Sequence, residues 1–478
     1  MPAFHELAVP MNPLALILAL VAAAWGVLLL VRGGLMAGCL LVLLSGACFG
    51  HPFWNVPVQP VPITLDRLLL GVLVGQFVVY RSLGRTRPAT WTPGDWALLA
   101  LVGTLTLSTF THDWTIDQKQ PAATLVFFYY MPLVLYLVAR RMILSTTALR
   151  WVLGSLAAFG VYLAVVAWAE VHEHWGVVFP TYIASPKHAE YFGRGRGPFL
   201  NPTANGLYLS AGLAATLLLW MRANSRLRLV LLAAAAAIAA GLYYTLTRSV
   251  WMGAALVVLI AVAPGLPRAW RLLTVGGTLL AALLVLAFHW ESFLAFKRDK
   301  ELTAEDVADS AALRPVLAAV AWEMFRDRPL AGFGFGQYKR EHVAYLASRR
   351  YGIDLEKARG YIQHNQFLGL LVETGLLGAG LCVLVLALWG RQAWRVWCRS
   401  DLPLEVRQMG LLLLAVLAAY VVNAMFHDVS LVPGTNALLF FLAATTESLA
   451  TSRRATGALP EQPARPERTE RTERTDAR

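Results

Sequence analysis

His364 and Asn365 open the stretch His364-Asn365-Gln366-Phe367-Leu368-Gly369-Leu370-Leu371-Val372-Glu373-Thr374-Gly375-Leu376-Leu377-Gly378, where a long polar segment gives way to an apolar one. A neutral imidazole accepts a proton near pH 7, so a histidine at the mouth of a membrane helix suits proton removal from a lipid-carried substrate. The positive end of that helix disfavours imidazolium and keeps such a base neutral. Taken alone, a His-Asn pair at a helix start reads as a cap; arginines elsewhere in the chain change that reading.

Three further islands hold groups suited to an anion. In Gly193-Arg194-Gly195-Arg196-Gly197-Pro198-Phe199-Leu200-Asn201-Pro202-Thr203-Ala204-Asn205-Gly206 the glycines let backbone approach a ligand, and Arg194 and Arg196 can pair with phosphate. Asn201 can cap the helix that follows, and Asn205 lies one turn on. The plainer reading of this island is a flexible loop with a cap. Thr247-Arg248-Ser249 sits between two apolar stretches too close to leave a real loop. A lone arginine there would snorkel to headgroups, whereas as a ligand its guanidinium offers phosphate two parallel donors, with Thr247 and Ser249 adding hydrogen bonds. Arg314 opens the third island, in which Val316, Val320 and Met324 and then Leu317, Ala321 and Phe325 recur at helical spacing. Pro315 is expected in the first turn and Pro329 beyond the end, with Gly332, Gly334 and Gly336 forming a tight turn.

These groups must be held by membrane helices. The chain has 478 residues, 57% hydrophobic and 15% charged, and its apolar residues fall in blocks of roughly 17 to 24 separated by short basic loops. Such a chain is an all-α polytopic membrane protein, with twelve or thirteen spans expected near 14–31, 35–50, 63–80, 95–111, 122–139, 149–169, 203–221, 228–246, 249–264, 271–289, 366–389, 409–426 and 431–450. The opening segment reads as a span, with no cleaved signal peptide. Arginines cluster on alternate short connections, which assigns those to the cytoplasm and leaves 170–202, the Arg248 turn and the long segment 290–364 outside it. The organisation expected is amino-terminal spans over 1–202, central spans over 203–289, an extracytoplasmic loop over 290–365, carboxy-terminal spans over 366–450, and a disordered cytoplasmic tail over 451–478.

The net charge of +12 sets topology and touches anionic lipid; it does not signal nucleic acid. The four cysteines, Cys39, Cys48, Cys382 and Cys398, form no disulfide framework or metal pattern. Asp299, Glu301, Glu305, Asp306 and Asp309 match no metal-binding loop and read as a solvated charge run, as do Asp113 and Asp117.

The order Phe199-Leu200-Asn201-Pro202 with Asn205, Thr247-Arg248-Ser249, Arg314 with Trp322, Pro329 and Gly332-Phe333-Gly334, then His364-Asn365 and Gly375-Leu376-Leu377-Gly378 resembles the O-antigen ligase family. The resemblance runs from roughly residue 193 to 380, and its most specific part is His-Asn, nine residues, then Gly-x-x-Gly. It implies a metal- and cofactor-independent glycosyltransferase with a GT-C-like helical bundle and a long, partly helical periplasmic loop. Such an enzyme moves a whole glycan from undecaprenyl pyrophosphate to lipid A-core, with inversion, at the periplasmic face of the bacterial inner membrane. By the same resemblance Arg248 and Arg314 bind the pyrophosphate and His364 takes the acceptor proton. Arg194, Arg196, Asn201, Asn205, Thr247, Ser249, Tyr338, Lys339 and Asn365 are then candidate substrate contacts, and Arg340 a neighbour of them.

Two other readings remain. Polymerases and protein O-oligosaccharyltransferases of the same superfamily share the donor chemistry and differ in the acceptor. A solute transporter would be expected to carry ionisable or helix-breaking residues at the midplane of repeated spans, and no such repeat is visible.

Overall fold

The computed structural model of the protein describes residues 26–27, 30–57, 62–115, 120–274, 276–277, 304–348, 350–432 and 434–456, and only the backbone at 304–312 and 452–456. Among them the single strand pair is β1 (Asn55–Val56) with β2 (Ile63–Thr64), antiparallel, with Asn55 opposite Thr64. The principal helices are α1 (Leu30–Cys48), α2 (Leu65–Ser82), α3 (Pro93–Phe110), α4 (Pro121–Ala139), α5 (Thr146–Val171), α6 (Pro202–Trp220), α7 (Ser225–Tyr244), α8 (Arg248–Val262), α9 (Ala304–Asp327), α10 (Gln366–Cys398), α11 (Leu404–Ala424) and α12 (Thr435–Thr456). Seven are long and apolar enough to cross a bilayer: α1, α4, α5, α7, α8 with its continuation to Gly265, α10 and α11. The chain is an all-α polytopic membrane protein.

The remaining expected spans divide into two groups. Those at 14–31 and 271–289 fall largely outside the described residues. Helices α2, α3, α6 and α12 stand where spans were expected and have 18 to 22 residues, yet carry too many polar or charged residues to count with the seven. For α6 the reason is burial by protein. It contacts α5, α7, α8 and α11, so Thr203, Asn205, Ser210 and Thr216 are enclosed by neighbouring helices.

Close packing in this bundle depends on small residues, because lipid tails compete equally with apolar side chains. A Cβ on Gly212 of α6 would lie 2.9 Å from the Gly160 Cα of α5, and one on Gly241 of α7 would lie 2.7 Å from the Ala164 Cα. Leucine at either glycine would force the backbones apart.

Three boundaries differ from expectation. Helix α9 begins at Ala304, so Pro315 is inside it rather than in its first turn. Helix α12 runs on to Thr456, past the point where a disordered tail was expected to begin. The expected span from 366 is broken, because Gly375 in α10 has φ 64° and ψ −162°. That conformation is open to glycine alone. The break leaves a short amino-terminal segment, residues 366–374, carrying the His364-Asn365 end, and a longer continuous helix from 376.

Candidate active site

Of the His364-Asn365 pair, Asn365 is the cap. Its side-chain oxygen accepts from the Phe367 and Leu368 amides, both at 3.0 Å, and its amide donates to the Met425 carbonyl at 3.0 Å. Asn365 therefore ties the start of α10 to the turn after α11. The cap reading thus applies to Asn365, and His364 takes no part in the cap. His364 is half-buried, its ring makes no hydrogen bond among the described residues, and its backbone is left-handed at φ 46°. Such a conformation costs about 1 kcal/mol or more for a non-glycine residue and persists only where the surroundings fix it. Burial first, and the Arg314 guanidinium second, hold the imidazole below its ordinary value, so it is neutral at pH 7.

Arg314 reaches this point from α9. Its Cζ lies 5.2 Å from the centre of the Phe426 ring, in cation–π range, on the same turn whose Met425 carbonyl anchors Asn365. The Arg314 charge also acts on Arg248 at the start of α8. Residues 248, 314 and 364 thus share one electrostatic neighbourhood, although 50 or more positions separate each from the next in sequence. Two guanidiniums thus lie near a neutral imidazole, an arrangement whose charge suits an anion.

The Thr247-Arg248-Ser249 turn is fixed from behind. The Trp251 indole donates to the Leu242 carbonyl and stacks on Tyr243, and the Gly195 amide donates to the Tyr244 carbonyl at 2.8 Å. Thr247 donates its hydroxyl to the Thr245 carbonyl, while the buried Ser249 hydroxyl has no hydrogen-bond partner among the described residues.

The 193–206 island divides. Arg196 was expected to meet phosphate, but it is wholly buried. It pairs with Glu170 at 3.1 Å, donates to the Ile183, His188 and Glu190 carbonyls, and packs its guanidinium 4.1 Å from the Phe192 ring centre. This corrects the expectation: the charge is spent on shaping the loop. Asn201 caps α6 through the Thr203 and Ala204 amides, and buried Asn205 donates to the Gly195 carbonyl, while its side-chain oxygen has no hydrogen-bond partner among the described residues. Arg194 is half-buried, 5.6 Å from the Tyr191 ring centre, and is the member of this island left near the surface.

The glycine-rich turn packs on the broken helix. Phe333 and Gly334 amides donate to the Val372 and Glu373 carbonyls, and Leu376 and Leu377 amides donate to the Pro329 and Leu330 carbonyls. Gly332, Gly334 and Gly336 all have left-handed backbones, and a Cβ on Gly332 would strike the Val372 carbonyl oxygen at 2.5 Å. Phe333 enters a small core with Val316, Leu317, Val320 and Met324 of α9, and Phe335 enters the core of the helical bundle. Tyr338, a candidate contact for substrate, is instead buried in that small core, and its amide donates to the Glu373 carboxylate. Lys339 and Arg340 are exposed; Arg340 pairs with Glu341 and lies 3.6 Å from Asp113. Asp113 also holds the Thr115 amide and hydroxyl, while the side chains of the 299–309 acidic run and Asp117 lie outside the described residues.

Glu170, Glu373, Met425 and Phe426 had no part in the sequence reading. Each is an isolated residue whose partner is far along the chain; only an acid at a helix end, as Glu170 is, hinted at a buried pair.

No curated protein matches the chain. Residues 233–383 match the family model described as O-antigen ligase. The matched segment contains Arg248, Arg314, His364 and the Gly375-to-Gly378 motif and leaves the 193–206 island outside it. The match supports an O-antigen ligase family assignment and, with it, activity of the ligase or polymerase type on lipid-linked glycans in general.

Proposed function

We propose that the protein is a metal-independent glycosyltransferase that moves polysaccharide from undecaprenyl pyrophosphate to lipid A-core at the periplasmic face of the inner membrane. The observation that most supports this reading is Arg314 lying within electrostatic reach of both Arg248 and His364.

In this reaction His364 removes the proton of an acceptor sugar hydroxyl as the hydroxyl oxygen bonds to the anomeric carbon. The bond from that carbon to the pyrophosphate oxygen breaks, and its electron pair leaves with the lipid pyrophosphate. Charge grows on the departing oxygen, and Arg248 and Arg314 offset it more in the transition state than before it. Displacement in one step inverts the anomeric carbon. The activated donor supplies the free energy, so the reaction consumes no nucleotide. Asn365, Asn201, Asn205, Arg196 and Tyr338 hold the frame; Thr247, Ser249, Arg194 and Lys339 are the remaining candidates for donor contact.

A host lacking its own ligase tests this. The parental chain should restore polysaccharide on lipid A-core, and His364→Ala at equal membrane level should not. Lengthened but unattached polysaccharide would assign the chain to polymerisation instead.

A further inference from the structure

A cavity lies at the end of α10 opposite His364. It has a volume of about 80 Å³ and opens where the start of α3, the last third of α10 and the end of α12 meet, lined among others by Thr92, Gly94, Arg391, Arg395, Glu447 and Thr451. Arg391 and Arg395 are one turn apart and so share a face of α10, and both are exposed. The same face continues away from the cavity through Leu388, which lines it, to Leu384, which is exposed. An apolar stripe thus runs into a pair of guanidiniums.

Thr92, Gln392 and Thr451 add polar side chains to the lining. Behind it the fully buried Trp389 indole rests against Gly94, where an added Cβ would lie 3.4 Å from Nε1. The one acid in the wall, Glu447, lies over the first turn of α3: its Oε1 would be 3.0 Å from that Cβ. Asp95 already caps the start of α3, so Glu447 stands as one negative charge against the two arginines, which leaves the lining net positive. Trp91, Trp96 and Trp394, within two positions of lining residues in sequence, are exposed, as aromatic rings at a membrane–water boundary are.

We propose that this cavity holds the phosphate of an anionic membrane phospholipid, with Arg391 and Arg395 on its oxygens and an acyl chain along Leu388 and Leu384. The stripe favours a lipid over free phosphate, because inorganic phosphate has nothing to lay on it. The site joins α3, α10 and α12 and does not depend on the transfer reaction proposed above.

Native mass spectrometry of the full-length protein, titrated with phosphatidylglycerol in detergent, tests it. Arg391→Gln/Arg395→Gln should weaken binding roughly tenfold or more, since charge-assisted contacts to phosphate carry the site. Arg81→Gln/Arg85→Gln removes the same charge from a different basic loop and should leave binding unchanged. Leu388→Glu should abolish lipid binding while sparing both arginines. Equal loss in the Arg81→Gln/Arg85→Gln variant, retention in Arg391→Gln/Arg395→Gln, or displacement of the lipid by millimolar inorganic phosphate would each overturn the proposal. Unchanged melting of the variants without added lipid shows that the losses are not misfolding.

Discussion

Replacing Gly375 by alanine should uncouple the glycine-rich turn from the site. At φ 64° and ψ −162° the new Cβ would stand 2.2 Å from the Leu330 carbonyl oxygen and 2.7 Å from the Ala331 nitrogen, both backbone atoms that cannot swing aside. The backbone strain is about 1–3 kcal/mol. The clash falls beside the Leu376-to-Pro329 and Leu377-to-Leu330 hydrogen bonds, each contributing about 0.5–1.5 kcal/mol. Together the cost is about 2–6 kcal/mol, borne by one docking contact rather than by the whole bundle. The turn should detach, and α9 with it, moving Arg314 relative to His364; a shift of about 1 Å at such a site costs about 100-fold in rate. Gly380→Ala is the matched control, because nothing lies within 4 Å of its Cβ, and it should gain up to about 1 kcal/mol of helix stability. Polysaccharide attachment in a ligase-deficient host would be read beside hydrogen exchange at the Phe333, Gly334, Leu376 and Leu377 amides. Parental activity together with parental protection in Gly375→Ala would refute the reasoning.

Activity in the proposed reaction needs neutral His364, whose folded value lies below the ordinary 6.5, so the acid limb of kcat/KM should fall below pH 6.5 and move upward in Arg314→Ala; an unmoved limb would separate the two residues. Phe426→Ala removes the ring beneath Arg314, a contact of about 1 kcal/mol, and should cost about fivefold in donor KM with little change in melting. Glu170→Gln leaves Arg196 charged and buried, at a cost of about 3–5 kcal/mol, and should lower the melting temperature and the amount of folded protein; a stable variant with lost activity would return Arg196 to the ligand side.

How much of this was legible varies by residue. Spans such as α5 and α11 could be read directly, because crossing a bilayer demands about 20 apolar residues. Arg248, Arg314 and His364 stood out as candidates because guanidiniums suit phosphate, an imidazole suits a base, and their order resembles that of the ligase family. Arg196 was misread because Gly-Arg-Gly looks open, and its partner Glu170 lies in the preceding helix, 26 residues earlier. The break at Gly375 was visible only as spacing. The sequence around it, Leu-Val-Glu-Thr-Gly-Leu-Leu-Gly, has the apolar content of an unbroken helix, and the carbonyls that replace its lost bonds come from residues 329 and 330. The Met425-Phe426 turn carried no local signal, since its function is to hold two residues remote from it.

That turn links the two halves of the proposed chemistry. Met425 fixes the cap beside His364, and Phe426 lies under Arg314, so the base and one phosphate ligand are set from the same short segment. The link is also electrostatic, because the Arg314 charge helps hold His364 below its ordinary value. An arriving pyrophosphate offsets that charge and removes part of the depression, so the imidazole becomes more basic when the donor is bound. Without donor, the same guanidinium keeps the base weak. In the proposed reaction donor binding therefore strengthens the base, an effect secondary to the burial that lowers His364 first.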